Sequence, residues 1–330
     1  MSTEPTRDEP TRTERTRTQP WTPAQIPDLT GTTAVVTGAN VGLGLHTAIE
    51  LARHGAAVVM ACRNPDRGAA ALGQVRAQVP GADVELARLD LADLGSVREF
   101  ATSTLAAHPR IDVLVNNAGV MALPTRQVSV DGFEMQLATN HLGHFALTGL
   151  LLPALLTAPS RVVTVSSNAH RMGTIDFDDL QSERRYSAWP AYGQSKLANL
   201  LFAMQLQRLA DRAAADLTSV AAHPGYAATN LVASGPGAGG SIAGRVIGLA
   251  TKVLGQPARM GAWPSLYAAT MPDVRGAEYF GPNAFGGWRG HPERTTAKPN
   301  AYDPDVAARL WQRSVELTGV DYGALTPKES

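Results

Sequence analysis

Tyr192 and Lys196 stand four residues apart in Ala191-Tyr192-Gly-Gln-Ser195-Lys196-Leu197-Ala198-Asn199. The apolar residues that follow (Leu197, Leu200, Leu201, Met204, Leu206) have helical spacing, and on a helix positions i and i+4 share a face. An ammonium beside a phenol favours the ionised oxygen and lowers a pKa that is about 10 when unperturbed. Such a pair is a proton donor and acceptor usable near neutral pH. A lone YxxxK is equally an ordinary pair on a solvated helix, so its meaning depends on the residues around it.

The second constellation is Thr37-Gly38-Ala39-Asn40-Val41-Gly42-Leu43-Gly44. A short β-branched run, Thr33 to Thr37, precedes it as a buried parallel strand would. A helical pattern from Leu45 to Ala52 follows. In a strand–turn–helix unit Gly38 permits the tight turn, Gly42 admits a pyrophosphate near the backbone, and Gly44 lets helix pack on strand. The helix N-terminus then offers unpaired N–H groups and a positive dipole end to phosphates. The spacing is GxxxGxG rather than GxGxxG, so the flanking elements carry the dinucleotide reading.

The next strand, Ala57 to Ala61, runs into Cys62-Arg63. A carboxylate at this point holds a ribose 2′-hydroxyl; a guanidinium suits a 2′-phosphate. Arg63 therefore argues for NADP(H) rather than NAD(H), although a surface arginine at a strand end would look the same. A third strand from Val84 ends at Asp90-Leu91, placed to contact adenine. A fourth, Ile111 to Val115, leads into Asn116-Asn117-Ala118-Gly119, where ligand can meet backbone or where the chain merely turns.

With TGANVGLG, NNAG and YGQSK in this order, the chain resembles the short-chain dehydrogenase/reductase family from about Asp28 to its last helix. The segments Arg161-Val-Val-Thr-Val-Ser-Ser-Asn-Ala-His170 and Phe177-Asp-Asp-Leu-Gln-Ser-Glu-Arg-Arg-Tyr186 are similar to the retinol dehydrogenase branch. The resemblance implies a single Rossmann-type domain, a doubly wound and mostly parallel α/β sheet with helices on both faces. It makes Tyr192 the acid/base, and Lys196 its activator and a ribose ligand. Ser167 would hold the substrate oxygen, and Asn140 a water of the proton relay. Pro224, Gly225 and Thr229 match the segment at the nicotinamide end. No metal is required.

The expected activity is hydride transfer between NADP(H) and a carbonyl or alcohol of a hydrophobic small molecule. A dinucleotide-sensing regulatory protein on the same fold is the alternative, against which Ser167, Tyr192 and Lys196 argue. His141 and His144, three apart, suggest a metal only with a third ligand, which the spacing does not supply.

The 330 residues are 44% hydrophobic with zero formal net charge, which gives no support for nucleic acid as a partner. One cysteine excludes an internal disulfide and fits the cytoplasm. Residues 1–25 are polar and Pro/Thr/Arg-rich, expected to be a disordered tail without signal or anchor character. No run reaches the ~20 apolar residues of a membrane helix. The folded domain is expected over 26–330, with 231–262 as a substrate lid behind the glycines of 235–240. An apolar core helix there is equally consistent. Gly281 to Gly290 reads as a loop, and Asp303-Pro304-Asp305 as the cap of a last helix ending at Gly319. The strongly apolar helix after Asn140 and the one from Ala191 are those the family pairs between subunits, so a homodimer or homotetramer is expected.

Overall fold

A computed structural model describes residues 19–226 and 256–325. Eight strands form one sheet in the order β3-β2-β1-β4-β5-β6-β7-β8. They are β1 (Thr33–Thr37), β2 (Ala57–Cys62), β3 (Val84–Arg88), β4 (Val113–Asn116), β5 (Ser160–Val165), β6 (Leu217–Ala222), β7 (Tyr279–Ala284) and β8 (Arg289–Arg294). Strands β1 to β7 are parallel to their neighbours, and β8 pairs antiparallel with β7. The order reverses beside β1, where β1 pairs with both β2 and β4. A crevice at the carboxyl ends of the strands forms at such a reversal.

Side-chain alternation along these strands feeds two cores. Ala34, Val36, Val58, Met60, Val113 and Val115 face one side, toward α1 (Gly42–Arg53) and α2 (Pro65–Gln78). Val35, Val59, Ala61, Leu114 and Val162 face the other, toward α3 (Leu94–Ala107). On that second side a single turn, α4 (Met135–Leu137), leads through a π-helical segment, Ala138–Leu142, into α5 (Gly143–Leu155). The long α6 (Ala188–Arg212) lies beside it. Being buried on both faces is why the strands read as continuous apolar runs.

After residue 255 the chain makes α7 (Ala258–Gly261), α8 (Trp263–Thr270), the β7–β8 hairpin and α9 (Pro304–Thr318). Asp303 caps α9 by accepting from the N–H groups of Asp305 and Val306, and Gly319 ends it, as expected. The stretch expected as a glycine loop, 281–290, instead holds most of the hairpin. Pro282 faces Pro292 across it, positions near a sheet edge where a missing N–H is tolerated. Within the expected tail, Trp21 is buried edge-on against Trp263 and Tyr267, so the folded part reaches at least to that residue. Of the expected lid, 231–255 lie outside the described residues. The remainder, 256–262, packs on the body through α7 and the buried Ala262. No helix among the described residues is long and apolar enough to cross a membrane.

The helices expected to pair between subunits, α5 and α6, are covered from within the chain. Trp311 of α9 stacks on Phe202 of α6 at 5.7 Å and meets Phe145 of α5 at 4.9 Å. Tyr322 closes the cluster and donates its hydroxyl to the Phe145 carbonyl at 2.6 Å. The apolarity that suggested an intersubunit face is satisfied by this chain's own C-terminal helix. Trp311→Ala should therefore cost about 3 kcal/mol, read as a lower denaturant midpoint. It should also increase self-association in sedimentation relative to the unaltered chain, through exposed Phe145 and Phe202; an unchanged midpoint would refute the covering role.

Candidate active site

The site lies at the carboxyl ends of β1, β4 and β5. After β1, Gly38 and Gly42 both take positive φ (66° and 58°), which sets the turn into α1 at little steric cost. Gly44 sits against β1, and a Cβ there would run into the Gly38 carbonyl oxygen and the Asn117 side chain. Asn40, Val41 and Leu43 complete this turn. The N-terminus of α1, unlike those of α2, α3 and α9, has no side-chain cap, which leaves its donors for an anion. Arg63 ends β2 as an exposed residue. Asp90 spends one carboxylate oxygen on the Ala92 N–H at 3.0 Å, and Leu91 beside it is buried.

After β4, Asn117 donates its amide to the Thr37 carbonyl at 2.7 Å. Its main-chain N–H and that of Ala118 both donate to Thr37 Oγ1, at 2.9 and 3.0 Å. Asn117 thus ties β4 to β1 and shapes the loop. Gly119 follows at the centre of the site: a Cβ on it would lie 2.9 Å from Asn140 Oδ1 and 3.5 Å from Lys196 Nζ.

One turn apart on α6, Tyr192 and Lys196 are 7% and 4% exposed. The ammonium lies 5.9 Å from the phenol ring centre and donates to the Val165 carbonyl at 3.1 Å. Asn199 donates to the same carbonyl at 3.0 Å, and Ser166 Oγ donates to the Lys196 carbonyl at 2.7 Å, so the end of β5 is stitched to α6. Ser167 lies close enough to the Tyr192 hydroxyl to oppose part of its shift, while its own oxygen accepts the Ala169 N–H at 3.2 Å. Gln194 holds the segment around Leu180, accepting from the Asp176 N–H and donating to the Leu180 carbonyl.

The electrostatics differ from the sequence expectation. Burial pushes Tyr192 up to about 12, only partly opposed by Ser167, and pulls Lys196 down to about 8. Desolvation of the phenolate outweighs the ammonium 5.9 Å from the ring centre, so the net shift of the tyrosine is upward, opposite to the expected direction.

Asn140 is held on several sides. Its amide donates to the Val120 carbonyl at 2.9 Å and to Ser195 Oγ at 2.8 Å, and its Oδ1 accepts the Val120 N–H at 2.8 Å. The side chain is a clamp between the Gly119–Val120 loop and α6, and its Oδ1 keeps one lone pair. Ser195 passes the clamp on to the Tyr192 carbonyl at 2.8 Å.

Pro224 and Gly225 follow β6, with Gly225 N–H donating to His223 Nδ1 at 3.2 Å and Gln256 donating to the Pro224 carbonyl at 2.7 Å. Thr229 lies outside the described residues. Sequence reading overlooked three positions that hold this geometry: Thr37, His144 and His170. His170 donates from Nδ1 to the Ser167 carbonyl at 2.6 Å and accepts the Lys298 N–H at 3.2 Å. Only its place three residues after Ser167 hinted at this. His141 turns away from His144 to Ser314, at 2.9 Å.

These residues fit a dinucleotide. The turn around Gly38–Gly44 and Gly119 forms a cradle that side chains would fill. Lys196 has three N–H donors, of which Val165 takes one, and a ribose diol offers acceptors of the kind the others need. The chain belongs to the short chain dehydrogenase family, whose profile matches residues 32–236. Within it, the chain is retinol dehydrogenase-like: it is 41% identical to retinol dehydrogenase 13 of Homo sapiens over 298 residues, 89% of this chain and 86% of that one. Polyprenol dehydrogenase of Mus musculus is 40% identical over 312 residues, covering 91% and 88%. A crystal structure of an uncharacterised protein from Mycobacterium paratuberculosis superposes with a TM-score of 0.77 at 44% identity, covering 92% of this chain and 99% of that chain. A Beutenbergia cavernae protein assigned as an NAD(P)-dependent gluconate 5-dehydrogenase, solved with NADP at low occupancy, is 28% identical with a TM-score of 0.57, covering 74% of this chain and 91% of that one. The family makes the protein a nicotinamide-dependent oxidoreductase acting on CH–OH groups.

The buried pair gives stability a defined pH dependence without dinucleotide. Lys196 has an ordinary value of 10.5 and about 8 when folded. The unfolded chain therefore holds the extra proton between these values, and stability rises with pH from about 8 to 10.5. Tyr192 shifts the other way, from 10.0 to about 12, so its contribution is lost as pH rises across that range. Lys196→Met should raise stability at pH 7 by up to about 3 kcal/mol, the gain shrinking toward pH 10. A destabilised variant in urea titrations at pH 7 would show that the ammonium is not a buried cost.

Proposed function

We propose that the chain is an NADP(H)-dependent oxidoreductase that interconverts a carbonyl and an alcohol on a hydrophobic small molecule, with Tyr192 as general acid/base. The observation that carries this reading is the joint burial of the Tyr192 phenol and the Lys196 ammonium, with Ser167 beside the phenol, next to the Gly38–Gly44 turn. A bound nicotinamide supplies or accepts the hydride. As the substrate carbonyl is reduced, charge grows on its oxygen; Tyr192 donates its proton there and Ser167 donates a hydrogen bond. A phenol held protonated by burial suits the acid role. The reverse direction needs the phenolate, which the neighbouring ammonium favours once Lys196 is charged. Asn140 serves by clamping Gly119 and α6 in register rather than by holding water on its amide.

Preference for NADP(H) over NAD(H) is supported by Arg63 and Arg67. Both are exposed at the β2–α2 junction, and neither forms an ion pair among the described residues. A hydrophobic substrate is supported by the apolar rim: Met172, Trp189, Phe285 and Trp288 are all exposed, and the Trp189 ring meets Tyr192 edge-on at 6.1 Å. Relatives named for retinol and polyprenol point the same way. The cavity of about 230 Å³ between Asn168 and the hairpin is lined by Arg171, His223 and Glu293. It is too polar for a hydrocarbon chain, which would run along Met172 and Trp189 instead. The single thiol, Cys62, is buried and pushed up to about 11, consistent with a cytoplasmic protein whose cysteine is inert. A homodimer or homotetramer remains part of this reading, with its contacts outside the α5–α6 surface that Trp311 of α9 covers.

Tyr192→Phe should lower turnover of a carbonyl panel at least about 100-fold while NADPH binding, followed by its fluorescence, changes little. Undiminished turnover would refute the acid/base role and favour a sensor. Arg63→Ala should weaken NADPH about tenfold, the loss of a charge-assisted contact, and NADH hardly at all. Equal losses for the two coenzymes would overturn the coenzyme preference.

A further inference from the structure

His144 joins the dinucleotide loop to Asn140, and no step of the reaction uses it. It is buried one turn after Asn140. Its Nδ1 is 3.0 Å from the Asn140 carbonyl oxygen, and its Nε2 is 2.9 Å from Thr37 Oγ1. A carbonyl only accepts, so Nδ1 carries the proton and Nε2 accepts from the Thr37 hydroxyl. The lone pairs of Thr37 Oγ1 are taken by the N–H groups of Asn117 and Ala118. Thr37 has one fallback for its proton, the Val115 carbonyl at 3.3 Å, which is longer than the bond to His144. An unbroken line of hydrogen bonds thus runs from the main chain of Asn117 and Ala118 through Thr37 and His144 to the main chain of Asn140. It ends inside the π-helical segment Ala138–Leu142. Such irregular turns recur at functional sites, and this one puts the Asn140 side chain against Val120 and Ser195.

We propose that His144 is a positioning residue, a two-ended tie that fixes the spacing between the Asn117–Gly119 loop and Asn140, and so aligns the dinucleotide cradle with Tyr192 and Lys196. The proposal rests on the oxidoreductase reading above. Burial, with the neighbouring Lys196 charge, holds the imidazole at about 4. It therefore stays neutral and ties rather than shuttles protons at neutral pH. An apolar side chain would fill the same volume but make neither bond.

Three variants separate the two ends. His144→Asn places an N–H near the position of Nδ1 and keeps only the tie to Asn140. His144→Gln places an amide near Nε2 and keeps only the tie to Thr37. His144→Phe keeps neither. The readouts are the NADPH dissociation constant by fluorescence titration, kcat and KM of a carbonyl substrate at saturating NADPH, and the thermal midpoint. His144→Phe should weaken NADPH binding and lower kcat about tenfold each, the scale of a small misplacement of reacting groups. The Asn variant should recover mainly kcat and the Gln variant mainly NADPH binding, with carbonyl KM little changed throughout. Thr37→Val cuts the same line at its other end and should reproduce the loss of NADPH affinity; it carries the test if His144→Phe does not fold. Folded variants that bind and turn over like the unaltered protein would overturn the proposal. So would losses that follow only the thermal midpoint, with no rescue by either amide. Failure of the unaltered chain to bind any nicotinamide dinucleotide would instead refute the functional reading.

Discussion

A primary ammonium with 4% exposure has to be held by something, and in this chain the Val165 carbonyl at the end of β5 is its acceptor among the described residues. Burial of such a group is expensive unless its donors are met. That constraint organises the surroundings. Strand β5 must end at Val165 so that its last carbonyl points at α6 instead of at a neighbouring strand. Ser166 must donate back to the Lys196 carbonyl, and Asn199 must share Val165. Gly119 lacks a side chain where a Cβ would press on Asn140 Oδ1 at 2.9 Å, with Lys196 Nζ in contact beyond it. The parallel sheet supplies this convergence, since its strands all end on one side and the order reverses beside β1.

The same burial sets the chemistry in tension with stability. Both reactive groups are driven toward their neutral forms, the phenol up and the ammonium down. A site built on desolvation is a destabilising element that the remaining structure has to offset. The offset here is apolar and lies on the far side of α6. Leu197, Leu200 and Leu201 pack in one core with Leu310 of α9, and Phe202 packs in another with Phe145 and Tyr322. Catalytic and structural residues therefore alternate along one helix. Tyr192 and Lys196 face the crevice while the leucines after them anchor the helix that carries them.

Much of this was legible in the residues because strong local patterns coincide with the site. The β-branched run before Gly38, the i, i+4 pair on α6 and the Asp303/Gly319 bracket around α9 each have a local cause that survives in the fold. What was not legible depends on contacts distant in sequence. The pKa directions follow from burial by segments more than 20 residues away, and no spacing encodes them. The apolar faces of α5 and α6 could be satisfied by a second subunit or by α9, and composition does not distinguish the two. The β7–β8 hairpin was hidden by its glycines and prolines, which read as loop because pairing at a sheet edge tolerates them. His144 looked like one of two helical histidines because its partner Thr37 lies 107 residues away.

Three buried histidines share a logic that explains why imidazole recurs here. His144 ties Asn140 to Thr37, His170 ties the Ser167 carbonyl to the Lys298 N–H, and His223 accepts from the Gly225 N–H. Each is held neutral by desolvation. A neutral imidazole is a rigid ring with one donor and one acceptor at fixed separation, so the bonds it makes are coupled in direction and length. A primary amide also has both functions, but on one carbon and closer together. In His144 and His170 the ring spans two partners far apart in sequence, a gap longer than an amide reaches. The main chain so tied includes Asn140 and Ser167, residues beside the Tyr192–Lys196 pair. The precision of this site thus resides less in the acid/base residues themselves than in neutral connectors one bond removed from them.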